Sequence, residues 1–90
     1  MEAHVLIVSG RVQGVGFRWF TEQEARKHRI QGYVRNLPDG RVEIWAQGEI
    51  ESLGEFRASL KKGPPAARVK EVERKPVPLD ESLTSFEVRF

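Results

Sequence analysis

Residues 37–40, LPDG, stand between two runs of alternating polarity, and no other segment constrains the chain as tightly. Proline at the second turn position and glycine at the fourth suit a type I turn. Before it, residues 30–36 put Ile30 and Val34 on one side and Tyr33 and Arg35 on the other. After it, residues 41–47 put Val42, Ile44 and Ala46 inward and Arg41, Glu43, Trp45 and Gln47 outward. Two runs of period two around a short turn form a hairpin with one dry face and one wet face.

Segments of helical period flank the hairpin. Residues 17–28 place Phe17, Phe20, Thr21, Glu24, Ala25 and His28 at helical spacings. Residues 49–62 carry the stripe Leu53, Phe56 and Leu60, with Lys61 and Lys62 in the last turn and Gly63 then Pro64 as the stop. Outside these lie an apolar, β-branched run at 3–10, whose continuity predicts a central strand, and a charged strand at 67–75. In the latter, Val69 and Val72 are three apart, which breaks alternation and predicts a bulge. Residues 76–83 read as a loop, and 84–90 alternate again through Phe86, Val88 and Phe90. The order is β-α-β-β-α-β plus an extra C-terminal strand. Two split β-α-β units predict an α+β, ferredoxin-like sandwich, with an antiparallel sheet and both helices on one face. We expect one domain over residues 1–90. Right-handed crossovers make the first and second strands parallel, separated by the third. The loop after the first strand and Asn36, at the end of the second, then meet at the same end of the sheet.

That loop belongs to the segment GRVQGVGFR, residues 10–18. Gly14 and Gly16 permit positive φ and leave room for a close ligand. Successive backbone N–H groups can turn inward as an anion nest, and the loop feeds the N-terminus of the first helix. Arg18 in that first turn offers a guanidinium fork to phosphoryl oxygens. The loop has no Lys and no GK[ST], so it is not a nucleotide P-loop. Val12 to Arg18 has the spacing of a Cys-x5-Arg phosphatase loop, with valine where the thiolate would be. Residues 11–17 include no Ser, Thr, Cys, His, Asp or Glu, hence no nucleophile, metal ligand or general acid. Hydrolysis there needs an external water and a leaving group that departs unprotonated. Asn36, the sole asparagine, can position water through its amide without acting as a base. A carboxylate, whose conjugate acid has a pKa of about 4, leaves unaided; an alkoxide does not. The chemistry points to carboxylic–phosphoric anhydrides rather than phosphate monoesters.

The loop, followed after a helix by GYVRNLPDGRVEIWAQG (residues 32–48), resembles the acylphosphatase family. The first segment fits its G-x-V-Q-G-V-x-F-R loop. Gly32, Tyr33, Val34, Arg35, Asn36, Gly40, Val42 and Gly48 fit its strand–turn–strand signature. The resemblance implies hydrolysis of acyl phosphates to a carboxylate and inorganic phosphate, without metal or cofactor. By position it assigns phosphate binding to the amides of Gln13, Gly14, Val15, Gly16, Phe17 and Arg18 and to the Arg18 side chain. Asn36 orients the attacking water, and the substrate's own phosphate oxygens help to deprotonate it. Where family members often have an apolar residue and then glycine, this chain has His28 and Arg29, which leaves open how the first helix ends.

Composition narrows the remaining choices. The net charge is +2, from 15 Lys and Arg against 13 Asp and Glu, which suits small anionic ligands without demanding nucleic acid. The absence of cysteine excludes disulfides, thiolate catalysis and a copper-chaperone reading of the fold. No apolar run nears the roughly 20 residues of a membrane span; no signal peptide is evident, and we expect a cytoplasmic monomer whose partners are an acyl phosphate and, as product and competitive inhibitor, phosphate. Two alternatives stand: a non-catalytic phosphate or acyl-phosphate binding domain, and a single-stranded RNA module built on Tyr33, Trp45, Arg35 and Arg41. The plainer reading of Tyr33 and Trp45 is a cross-strand packing pair, of Arg11, Arg35 and Arg41 solvated side chains, of His28 a residue half-packed on its helix. Trp19 reads as a partly buried anchor beside the loop, with a substrate contact as the alternative.

Overall fold

The computed structural model describes residues 1–90. Its elements are β1 (Glu2–Arg11), α1 (Phe17–Lys27), β2 (Gln31–Asn36), β3 (Val42–Gly48), α2 (Ile50–Lys62), β4 (Arg68–Val77) and β5 (Phe86–Arg89). The strands form one sheet in the order β4-β1-β3-β2-β5. The hairpin closes as its turn chemistry predicts: Gly40 N–H donates to Leu37 O at 3.2 Å and Leu37 N–H to Arg41 O at 2.8 Å. Tyr33 and Trp45 stand opposite each other across it. The bulge is also present. Ser9 pairs with Glu71 and Gly10 with Val69, so Lys70 is the extra residue on β4.

Alternation sorts the faces. Leu6 and Val8 of β1, Val34 of β2 and Val42, Ile44 and Ala46 of β3 are buried, and they meet Phe17 and Ala25 of α1 and Leu53, Phe56 and Leu60 of α2. A fully buried side chain of this size contributes about 1.5–3 kcal/mol. Thr21 explains how the apolar face of α1 can be thin: its hydroxyl lies in the core and donates to Phe17 O at 2.8 Å, so no polar group is left bare.

The end of α1, left open by the sequence, is a Schellman motif. Ile30 N–H donates to Ala25 O and Arg29 N–H to Arg26 O. Arg29 takes the left-handed position with φ 57°, where glycine carries no Cβ penalty; a non-glycine residue costs about 1–2 kcal/mol there. His28 sits half-buried at the cap, 3.8 Å from Glu24 Oε1, and so packs as expected, at the end of the helix remote from the loop.

Two expectations change. The four strands of the split β-α-β units are antiparallel to their neighbours, but β5 pairs parallel to β2, Gly32 opposite Phe86 and Val34 opposite Val88, so the sheet is mixed. The cause is the 78–85 connection. It leaves β4 at one edge, passes Gln47 of β3 and enters β5 at the other edge, running in the direction of β2. Gln47, assigned outward, is buried because this connection covers it. Its amide accepts from Asp80 N–H and donates to Asp80 O, both at 3.0 Å, and donates to Gln31 Oε1 at 3.0 Å. The consequence is functional: β5 delivers Arg89 and Phe90 to the end of the sheet where the Gly10–Arg18 loop lies.

Candidate active site

The loop between β1 and α1 takes the form its glycines allow. Gly14 and Gly16 have φ of 73° and 78°, left-handed values on either side of Val15, and a Cβ built at either would meet nothing within 4 Å. Glycine is required there by the backbone, while the space beside it stays open to a ligand. Gly16 is also the N-cap of α1. The first helical bond runs from Phe20 N–H to Gly16 O at 3.0 Å, so the N–H groups of Phe17, Arg18 and Trp19 have no acceptor within the helix. Donors and helix dipole together favour an anion at this point.

Loop and hairpin are tied by one side chain. The Gln13 amide nitrogen donates to Leu37 O and to Arg41 O, both at 2.9 Å. It thereby fixes the loop to the two ends of the turn that follows Asn36. Gln13 was expected here only as a backbone donor; its side chain is a brace.

A cleft of about 660 Å³ opens along this end of the molecule. Gly14, Gly16, Phe17, Arg18 and Asn36 all line it, so the crossover argument that placed the loop beside Asn36 holds. Asn36 contributes an amide that the fold does not consume. The turn is capped instead by Asp39, whose Oδ1 accepts from Arg41 N–H at 3.1 Å, while Asn36 Oδ1 is buried and has no hydrogen-bond partner within the chain. A buried acceptor left in that state costs about 1–3 kcal/mol, a cost the fold bears at the residue that lines the cleft beside Arg18.

Arg18 is held on two sides. One guanidinium nitrogen donates to Arg89 O at 3.2 Å, and the guanidinium carbon lies 4.6 Å from the centroid of the Phe90 ring. Both partners arrive through β5. Sequence reasoning missed them, because alternation at Phe86, Val88 and Phe90 reveals a strand but not the edge it joins. Trp19 differs from its plainer reading as a partly buried anchor. It is 66% exposed and lines the cleft, since the side chain one position beyond Arg18 on α1 turns away from the sheet.

The surrounding arginines contribute less free charge than their number suggests. Arg35 pairs with Glu43 at 2.6 Å and Arg41 with Asp39 at 2.8 Å. The Arg41 backbone N–H, with the Arg41 guanidinium behind it, holds the Asp39 carboxyl below the usual carboxylate range, so Asp39 remains ionised and offsets Arg41. On the open face of the sheet, burial and then the Glu43 carboxylate push the Tyr33 hydroxyl above the ordinary phenol range. It donates to Glu43 at 3.4 Å, and Arg89 covers its ring at 4.0 Å from the centroid. A base-stacking platform needs that ring free and Arg35 unneutralised. The open face offers neither. No group of three or more His, Cys, Asp or Glu is arranged to hold a metal, and no helix is long and apolar enough to cross a membrane.

Comparison with known proteins gives a consistent result. The family described as acylphosphatase matches residues 4–88. An acylphosphatase of Archaeoglobus fulgidus is 52% identical over 90 residues, covering 100% of both chains. One of Pseudothermotoga lettingae is 47% identical over 88 residues and 98% of each. The crystal structure of the acylphosphatase from Bacillus subtilis superposes with a TM-score of 0.96 at 39% identity, over 100% of both chains.

Proposed function

The chain belongs to the acylphosphatase family and is an enzyme that hydrolyses acyl phosphates, and from that premise we propose how its own residues divide the work. The phosphoryl group of the anhydride sits at the Gly14–Gly16 loop, against the amides of Gln13, Gly14, Val15, Gly16, Phe17 and Arg18. The Arg18 guanidinium binds its remaining oxygens as a planar fork. Asn36 orients a water for in-line attack at phosphorus. Bond formation to that water and cleavage of the phosphorus–acyl oxygen bond release a carboxylate, which departs without an acid. The water's proton passes to a phosphoryl oxygen, since no base stands in the loop. Catalysis here is positioning plus charge stabilisation.

The observation that carries this reading is the cleft's conjunction of a left-handed glycine loop, Arg18 and an amide at Asn36 that the fold leaves uncommitted. The substrate is small. We also propose that the protein acts as a monomer in the cytoplasm. The β4 edge supports the first, since Arg68, Lys70, Glu71, Glu73, Arg74, Lys75 and Pro76 make it a poor template for another strand. For the second, a charged anhydride does not cross a bilayer unaided and is met where it is made.

Selectivity tests the chemistry. With EDTA present, acetyl phosphate should be hydrolysed at its full rate, while an aryl phosphate monoester turns over at least about 10³-fold more slowly because its leaving group needs an acid. Inorganic phosphate should inhibit competitively. Strong inhibition by EDTA, or equal rates on anhydride and monoester, would refute the proposed division of labour.

A further inference from the structure

The cleft is far larger than a phosphoryl group. Its volume of about 660 Å³ falls among sites that hold whole organic ligands, about 300–1,000 Å³. It follows α1 from Arg18 in the first turn to Arg26 in the last, and the phosphate loop accounts only for the beginning of it. Beyond Arg18 the lining is mixed, with Glu22, Arg26, Ser85 and Glu87 beside two exposed aromatic side chains, Trp19 and Phe90. Trp19 is 66% exposed and Phe90 fully so, yet both face the same concavity. A tryptophan presented to water on a first helical turn forgoes the burial that normally justifies it; inside a cleft it supplies a flat apolar surface for a ligand. The charges farther along are already matched. Arg26 pairs with Glu22 at 3.2 Å and Arg89 with Glu87 at 3.2 Å. No free cation is left there to recognise a second anionic group on the substrate.

We propose that Trp19, together with Phe90 in the same cleft, forms the subsite for the acyl group, and that the preferred substrates are acyl phosphates whose acyl part is apolar and flat or bulky. This rests on the phosphoryl group occupying the Gly14–Gly16 loop. Trp19 is then a specificity residue: it touches the part of the substrate that does not change bonding at phosphorus.

The test compares benzoyl phosphate with acetyl phosphate in the native sequence, Trp19→Ala and Trp19→Phe, together with the inhibition constant for inorganic phosphate. In Trp19→Ala, kcat/KM for benzoyl phosphate should fall about tenfold, mainly through KM. Acetyl phosphate and the phosphate inhibition constant should change less than about twofold, because neither reaches the indole. Trp19→Phe should keep most of the preference for benzoyl phosphate. Equal losses on both substrates, or an unchanged benzoyl preference in Trp19→Ala, would overturn the acyl subsite. Absence of competition between phosphate and either substrate in the native protein would overturn the placement of the phosphoryl group instead, so the two ideas fail separately.

Discussion

Arg18→Ala should lower kcat/KM for acetyl phosphate by on the order of 10³ and weaken inhibition by inorganic phosphate at least about tenfold. The argument begins with what replaces the guanidinium. Removing one preorganised donor from a site of developing charge typically costs about 10²–10³ in rate. Arg18 supplies a two-pronged donor and a full positive charge, where the remaining contacts are neutral amides. Its geometry is set before substrate arrives, by Arg89 O at 3.2 Å and the Phe90 ring at 4.6 Å. Arg18→Lys should recover little of the loss, since an ammonium is a point charge without the fork. The fold itself should be nearly unaffected, because Arg18 is outside the buried core. Steady-state kinetics, phosphate inhibition and a thermal melt of the same preparation separate these effects. A variant that melts normally but keeps native phosphate affinity would remove Arg18 from the site.

Asn36→Ala should separate binding from turnover. We expect kcat to fall about 10²–10³-fold while the phosphate inhibition constant moves less than about twofold. The reason lies in what the amide touches. Gln13 braces the turn and Asp39 caps it, so truncating Asn36 leaves both loop and hairpin in place. It also removes a buried acceptor that has no partner within the chain. Stability should therefore hold or rise slightly, the reverse of what loss of a structural asparagine would do. Undiminished kcat in Asn36→Ala would end the water-positioning role. A parallel collapse of phosphate binding and melting temperature would assign Asn36 to the turn instead.

Much of this site was legible in the residues because its logic is local. Left-handed positions at Gly14 and Gly16, the turn at LPDG and the bulge beside Val69 each follow from the conformational limits of a few residues. The meeting of loop and Asn36 required one long-range rule, the handedness of β-α-β crossovers, and the structure agrees with it. What alternation could not supply was the position of β5. A period of two states which residues share a face, not which edge the strand joins or in which direction it runs. From that single missing fact follow the mixed sheet, the burial of Gln47 under the 78–85 connection and the Arg89 and Phe90 contacts of Arg18. Trp19 stays ambiguous in the sequence, between a partly buried anchor and a substrate contact, for a different reason. Helical spacing marks it as off the core face, and large aromatics off the core face still often pack against neighbours; only the cleft shows that here the indole stays open.

The central claim is that water attacks phosphorus directly, with no phosphorylated residue on the way. The stereochemical course of hydrolysis tests it most directly, using an acyl phosphate made chiral at phosphorus with oxygen isotopes and turned over in water of the remaining isotope. A single in-line displacement by the Asn36-oriented water predicts inversion of configuration in the inorganic phosphate released. Retention would mean two displacements, hence a covalent intermediate on a residue outside the Gly10–Arg18 loop, and would contradict the mechanism.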